Sequence, residues 1–222
     1  MESKAAAVIT TLNDSIILEK SYPFWKRTFD VLFSIFALLI TSPFTIIISL
    51  QILLIYGRPV TFKQQRIGYN GKPFKIIKFR SMCKNAEDVL RRNPEIYQYY
   101  LENDYKLPDG EDPRVTKFGR FLRKTSLDEL LQFWNVLKGD MSVVGPRPIV
   151  LAELEEYGDK KSLFLSMKPG VTGVWQVSGR SNIGYPERVD VELSYLNKQS
   201  LTFDILVIFK TIFKVIKRSG AY

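Results

Sequence analysis

A chain of 222 residues is long enough for one domain with a real core and an appendage. With 32 Lys and Arg against 23 Asp and Glu, its formal charge of +9 makes phosphates, anionic lipid or nucleic acid the expected partners. A single cysteine, Cys83, excludes an intramolecular disulfide framework and a cysteine-based zinc site, and the absence of histidine removes the Ser-His-Asp and Cys-His nucleophile systems.

Residues 1–20 mix small, polar and aliphatic side chains without the basic start and cleavage site of a signal peptide, and read as a flexible tail. An aromatic and basic patch follows (Tyr22, Phe24, Trp25, Lys26, Arg27, Phe29), of the kind that lies at a membrane–water boundary. From Val31 to Tyr56 no side chain is charged, and the stretch is long enough to cross a bilayer. Pro43 interrupts it, and Ser42 beside it can satisfy a freed carbonyl. Both flanks are basic: Lys20, Lys26 and Arg27 before, Arg58, Lys63 and Arg66 after. That symmetry favours both ends on the cytoplasmic face, so the preferred reading of 21–59 is a re-entrant helix-break-helix hinged at Ser42-Pro43. A kinked spanning helix is the alternative.

Between Val60 and Met82, apolar residues alternate with Lys and Arg around Asn70-Gly71, which predicts a short β-hairpin. Lys78 and Arg80 on its second strand are either its wet face or phosphate ligands. Cys83 to Pro113 is polar and rich in turn formers, a short helix and a surface loop with at most the role of a lid. Helical patterning resumes at Val115, with Phe118, Phe121 and Leu122 on one face and Arg114, Lys117, Arg120, Arg123 and Lys124 on others.

This basic run leads into two adjacent carboxylates, Asp128 and Glu129. An ordinary capping box accounts for them, with Ser126 as N-cap and Glu129 reaching back to its amide; a catalytic pair accounts for them equally. Leu127, Leu130, Leu131, Trp134 and Leu137 then follow at core spacing, and Gly139 marks a C-terminal stop. Pro146 and Pro148 stiffen the backbone around Arg147, whose fork suits phosphate. Leu151 to Leu165 reads as an amphipathic helix. The Gly-rich run Lys168 to Arg180 is neither a Walker loop nor a dinucleotide fingerprint, but its amides can approach an anion, and Gln176 and Arg180 are its notable side chains. Phe203 to Arg218 is an amphipathic helix with Lys210, Lys214 and Lys217 on its polar side, suited to a membrane interface or to docking on the core.

Several ordered motifs resemble those of the bacterial sugar transferases, small monotopic polyprenyl-phosphate hexose-1-phosphate transferases. They are Ser42-Pro43, Phe74-Lys-Ile-Ile-Lys-Phe-Arg-Ser-Met82, Ser126-Leu-Asp-Glu-Leu130, Asn135-Val-Leu-Lys-Gly-Asp-Met-Ser142, Gly145-Pro-Arg-Pro148, Lys168-Pro-Gly-Val-Thr-Gly173 and Ser178-Gly-Arg180. The resemblance runs from about Lys26 to Gly220 and implies an α+β fold. Its expected parts are a membrane-embedded re-entrant helix, a small and mostly helical cytosolic catalytic domain at 60–200 and an interfacial helix at 201–222. It implies the minimal form, without the multi-helix membrane region that larger relatives carry before this domain.

The activity it implies is transfer of a sugar 1-phosphate from a UDP-sugar to polyprenyl (undecaprenyl) phosphate, with release of UMP. Asp128 is then the nucleophile, assisted by Glu129 and a Mg²⁺ held by the two carboxylates, and a set without imidazole or thiolate ligands suits that hard ion. Lys78, Arg80, Arg123, Arg147, Gln176 and Arg180 are the expected phosphate and nucleotide-sugar ligands. Expected partners are the donor, the acceptor lipid and membrane lipid at the inner membrane, and homo-oligomerisation stays open. No helix-turn-helix, zinc pattern or aromatic RNP motif supports nucleic acid as a partner. A non-catalytic membrane scaffold is the other rival.

Overall fold

Helix α1 (Phe24–Tyr56) carries about half of the large apolar side chains left exposed among the described residues, and the two ends of this helix set the architecture. The computed structural model describes residues 22–102, 107, 108, 110–179 and 182–217. The tail read at 1–20 and the site residue Arg180 lie outside the described residues. At 33 residues α1 is about 50 Å long if straight, enough to cross a membrane by length and composition. Phe36, Leu39, Ile40, Phe44, Ile46 and Ile47 in its middle are exposed, an uncovered apolar surface that associates the chain with a membrane.

Helical pairing continues through Pro43, so the expected break is not a gap in the helix. Proline leaves the carbonyl four residues earlier, on Leu39, without its amide donor, and the Ser42 hydroxyl donates to that oxygen at 2.8 Å. Thr41 donates to the Ala37 carbonyl at 2.7 Å one turn earlier.

The predicted hairpin forms as β1 (Thr61–Ile67) and β2 (Pro73–Phe79), antiparallel, with Asn70 and Gly71 both at positive φ in the turn. Short helices α2 (Ala86–Arg91) and α3 (Pro94–Glu102) follow, then α4 (Lys117–Lys124). A single 3₁₀ turn, Leu127–Glu129, precedes α5 (Gln132–Lys138), which Gly139 terminates at φ +92°. Fully buried Asn135 ties α5 to β2: its amide donates to the Lys75 carbonyl at 2.8 Å and accepts from the Ile77 N–H at 3.0 Å.

Two strands had no counterpart in the sequence reading. β3 (Ser142–Val144) pairs in parallel with β4 (Gly170–Thr172), and a Cβ on Gly145 would sit 2.2 Å from the Lys168 carbonyl, so only glycine lets these backbones meet. The helix expected over 151–165 is instead a 3₁₀ stretch, Leu151–Lys160, and a short α6 (Lys161–Leu165). Gly158, at φ 47° and ψ −129°, breaks the helical path within the 3₁₀ stretch. Helix α7 (Val174–Ser178) leads to α8 (Glu187–Lys198), also unforeseen, and α9 (Leu201–Lys217).

The central core joins Ile76, Val136, Met141, Val143, Val144, Met167, Tyr195 and Val207, with Phe29 and Phe33 of α1 against it. A second cluster packs Ile67, Ile149, Leu154, Tyr157, Phe164, Leu165 and Val189. A third joins Ile48 and Ile52, from the other end of α1, to Phe79 and Leu122. Both ends of the helix are therefore fixed to the same domain. Helix α9 docks one edge through Asp204 and Val207, as the core-docking reading expects, and leaves Phe209, Ile212, Phe213 and Ile216 exposed.

Candidate active site

The turn that carries Asp128 and Glu129 is not a capping box. Ser126 adopts a left-handed conformation (φ 56°) with no side-chain cap bond. Glu129 does not reach back to it; its carboxylate takes the Lys78 ammonium at 2.5 Å across from β2. The contact joins two segments 51 residues apart, which a local cap does not require.

Asp128 is only 8% exposed. Burial, reinforced by the neighbouring negative charge of Glu129, pushes its carboxyl up to about 7, against the opposing pull of Lys78 and Arg123. An acid held there is a carboxylate stripped of water whose anion gains stability when more positive charge arrives. Such a group can attack an electrophile once a cationic environment is complete.

Beside this turn an open cleft of about 270 Å³ is lined by Arg66, Lys78, Glu129, Gln132, Arg147 and Gln176, with Ile76, Pro148 and Val171 as its apolar wall. Asp128 itself is not among the lining residues. Arg147 stands with its guanidinium 5.5 Å from the Trp175 ring, and its backbone N–H donates to Glu192 at 3.2 Å. Glu192, 1% exposed, also accepts from the Tyr157 hydroxyl and from Arg188 Nε at 3.3 Å, so a buried network holds the Pro146-Arg147-Pro148 turn. The Gln176 side-chain oxygen, Oε1, is buried without a partner.

Of the residues named from sequence, Lys78, Glu129, Arg147 and Gln176 meet at the cleft, with Asp128 and Arg123 electrostatically coupled beside it. Arg80 does not join them. It is 7% exposed and donates to the carbonyls of Tyr56 (3.0 Å), Pro59 (2.8 Å) and Met82 (3.2 Å), which ties the end of α1 to β2. Ser42 and Pro43 lie on the exposed middle of α1, away from this cluster. Arg66 and Gln132 line the cleft but were not singled out from sequence. A signal existed for Arg66: once Asn70-Gly71 sets the register, Lys78 pairs with Phe62 and Phe74 with Arg66, so the alternation puts Arg66 and Lys78 on one face.

No group of three or more Asp, Glu or Cys gathers as a ready-made metal cage among the described residues. Asp128 and Glu129 offer a pair of hard oxygen donors, which suits an ion that takes one or two carboxylates and completes its shell with water and substrate phosphate.

A family model described as bacterial sugar transferase matches residues 21–218. The undecaprenyl-phosphate galactose phosphotransferase of Salmonella typhimurium is 47% identical over 209 residues, covering 93% of this chain and 43% of the relative. The UDP-glucose:undecaprenyl-phosphate glucose-1-phosphate transferase of Escherichia coli is 40% identical over 205 residues, covering 89% of this chain and 41% of the relative. The exopolysaccharide production protein ExoY of Rhizobium meliloti is 43% identical over 201 residues, with 89% and 88% covered. The chain thus spans less than half the length of the first two and most of the third.

Proposed function

The chain belongs to the bacterial sugar transferase family, and from that premise we propose that it transfers a sugar 1-phosphate from a UDP-sugar to polyprenyl (undecaprenyl) phosphate, as an initiating step of polysaccharide assembly. The observation that carries this reading is the buried Asp128 beside the Lys78–Glu129 pair at 2.5 Å, a pair that lines a cleft also holding Arg66 and Arg147.

A donor diphosphate repels a carboxylate, so its charge must be offset before attack. Lys78, Arg123 and Arg147 supply that offset from three different segments. Asp128 then forms a bond to the β-phosphorus as the bond from that phosphorus to the bridging oxygen breaks, and UMP leaves with the electron pair. An acceptor phosphate oxygen attacks the same phosphorus, forms the new anhydride and returns Asp128 to its carboxylate. Mg²⁺, when bound by Asp128 and Glu129, supplies further positive charge to the diphosphate. One phosphoanhydride is broken and one formed, so the transfer is close to thermoneutral and is drawn forward by later steps.

This reading includes a re-entrant α1 with both ends on the cytoplasmic side of the inner membrane. What supports it is the anchoring of both ends to one charged domain. Near the start Arg27 donates to the carbonyls of Val136 (2.6 Å) and Leu137 (2.7 Å); near the end Tyr56 bonds to the Ser81 carbonyl (3.1 Å) and to Thr116. A helix that crossed the bilayer would put its two ends on opposite faces, where one cytosolic domain could not hold both. In a Cys83→Ser background, cysteines placed at Thr28 and Arg58 are both expected to be labelled only from the cytoplasmic side; labelling from opposite sides would establish a spanning helix.

The activity is tested by UMP release from purified protein with Mg²⁺ and undecaprenyl phosphate across a panel of UDP-sugars. Release with one donor, and exchange of labelled UMP into that donor without lipid, is the expected result. Transfer with no lipid-free exchange would rule out the covalent route while leaving the transfer itself in place.

A further inference from the structure

Arg66 is the cleft residue for which the mechanism above has no use. Three of its contacts tether it: Nη1 donates to the Pro148 carbonyl at 3.1 Å, Nη2 to Gln64 Oε1 at 2.6 Å, and Nη1 lies 3.5 Å from Glu153 Oε1. Its Nε–H is buried with no acceptor, although the side chain is 14% exposed and lines the cleft. A buried guanidinium donor without a partner is costly and rare. Arg147 on the same wall adds like-charge repulsion, and with burial it lowers the proton affinity of the Arg66 guanidinium. Two arginines lining one cleft, one of them with an orphaned donor, form a site short of an anion.

Among the described residues Arg66 ion-pairs with Glu153, which is loosely matched to the task. It is 31% exposed, and it divides itself between Arg66 at 3.5 Å, Arg188 Nη1 at 3.4 Å, the Tyr185 hydroxyl at 3.4 Å and the Val150 N–H at 3.2 Å. None of these is a short, forked pairing of the kind that arginine and carboxylate make when they are committed to each other.

We propose that Arg66 is a diphosphate-binding residue of the cleft and that Glu153 is its exchangeable counter-ion, which a phosphate oxygen displaces when the donor arrives. This deepens the reading of the cleft as a nucleotide-sugar site and rests on it for the identity of the ligand, but the anion site stands on the geometry alone. In that arrangement Arg66 supplies the fork that Lys78, already bound to Glu129, does not. Glu153 keeps the empty site from holding two arginines against each other uncompensated.

Calorimetric binding of inorganic pyrophosphate and of UDP to the full chain in detergent, beside turnover of the UDP-sugar, tests this. Arg66→Gln is expected to weaken pyrophosphate and UDP by about tenfold or more, the loss of one charge-assisted contact. Glu153→Gln keeps the acceptor for the Val150 N–H but removes the competing charge, and is expected to tighten both by several-fold. A purely structural Arg66–Glu153 pair predicts the opposite sign for Glu153→Gln, so weakening or no change in that variant overturns the proposal even if Arg66→Gln does not fold. Lack of pyrophosphate binding by the unmodified protein overturns it as well. If pyrophosphate binds in the predicted manner while no UDP-sugar is turned over, the anion site holds and the sugar-transferase reading fails. If donor is turned over and Arg66→Gln binds both ligands normally, the reverse follows.

Discussion

Asp128→Asn is expected to abolish both sugar-phosphate transfer and UMP exchange, by at least about 10⁴-fold, since an amide cannot form the phosphoryl bond and the loss of a nucleophile removes most of the chemical advantage of a site. The same variant is expected to be more stable than the parent in EDTA, and more so at alkaline pH. In the folded chain the Asp128 carboxyl sits near 7, against an ordinary value of 3.8. The native state therefore holds a proton that the unfolded chain gives up first, and stability falls as pH climbs from about 4 to 7, with the whole penalty present above 7. Asparagine does not ionise, so it escapes that penalty. Each tenfold change in proton affinity is worth about 1.4 kcal/mol, which bounds the gain at about 4 kcal/mol. Glu129 adds to this rise and Lys78 and Arg123 oppose it, and the net direction at Asp128 is upward. Thermal melts at pH 5 and pH 8 measure it. Were Asp128 only a first-turn acid of a capped helix, the variant would lose up to about 1 kcal/mol, gain nothing at alkaline pH and keep its turnover.

That combination of lost activity and gained stability separates a functional carboxylate from a structural one, and the sequence alone could not do so. Ser126-Leu-Asp-Glu129 fits a capping box as well as it fits a catalytic turn, because the distinguishing fact is where the Glu129 side chain goes. Its partner, Lys78, comes from the far strand of a hairpin, a contact that local spacing does not carry. The hairpin was legible because Asn70-Gly71 and a period of two are both local signals. The parallel pairing of β3 with β4 was not. Each strand is three residues long, too short to alternate, and its partner lies across the whole 3₁₀ segment and α6. Helix α8 escaped for a related reason. Arg188 and Glu192 look like solvent-facing charge in the sequence, yet both are buried, where they neutralise each other and hold the turn of Arg147. Arg80 shows the converse: a basic residue in a phosphate-like context spends its donors on the backbone of the α1 terminus.

Asp204→Asn is expected to cost about 3–5 kcal/mol, the largest loss of stability available from a single polar substitution here. Lys26 at the start of α1 is 1% exposed and meets Asp204 of α9, 0% exposed, at 2.6 Å, while the Tyr195 hydroxyl donates to the other oxygen of Asp204 at 2.6 Å. Removing the negative charge leaves the Lys26 ammonium buried without its ion-pair partner, with only the ring faces of Trp25 (6.0 Å) and Tyr195 (5.6 Å) near it. Removing both charges, as in Lys26→Met with Asp204→Asn, relieves that penalty, so the double variant is expected to recover much of the loss, whereas two independent contacts would add. The exposed pair Lys160–Asp190 is the control: its partners are 50% and 73% exposed, and breaking it should move stability by no more than about 1 kcal/mol. Melting of the three variants in the same detergent gives the comparison, and equal losses from Asp204→Asn and from the surface control would refute the argument. The pair also joins α1 and α9, the two elements with the most exposed large apolar side chains among the described residues, at the start of α1. Asp30, one turn further along α1, accepts from the Val143 N–H and the Ser142 hydroxyl, both at 3.0 Å, so the entry of the helix is fixed to β3 as well. Strand β3 runs directly into the turn of Arg147. Loosening the helix at Asp204 is therefore expected to disturb the cleft through that strand, and at a temperature where the variant is still folded its turnover should fall further than that of the surface control.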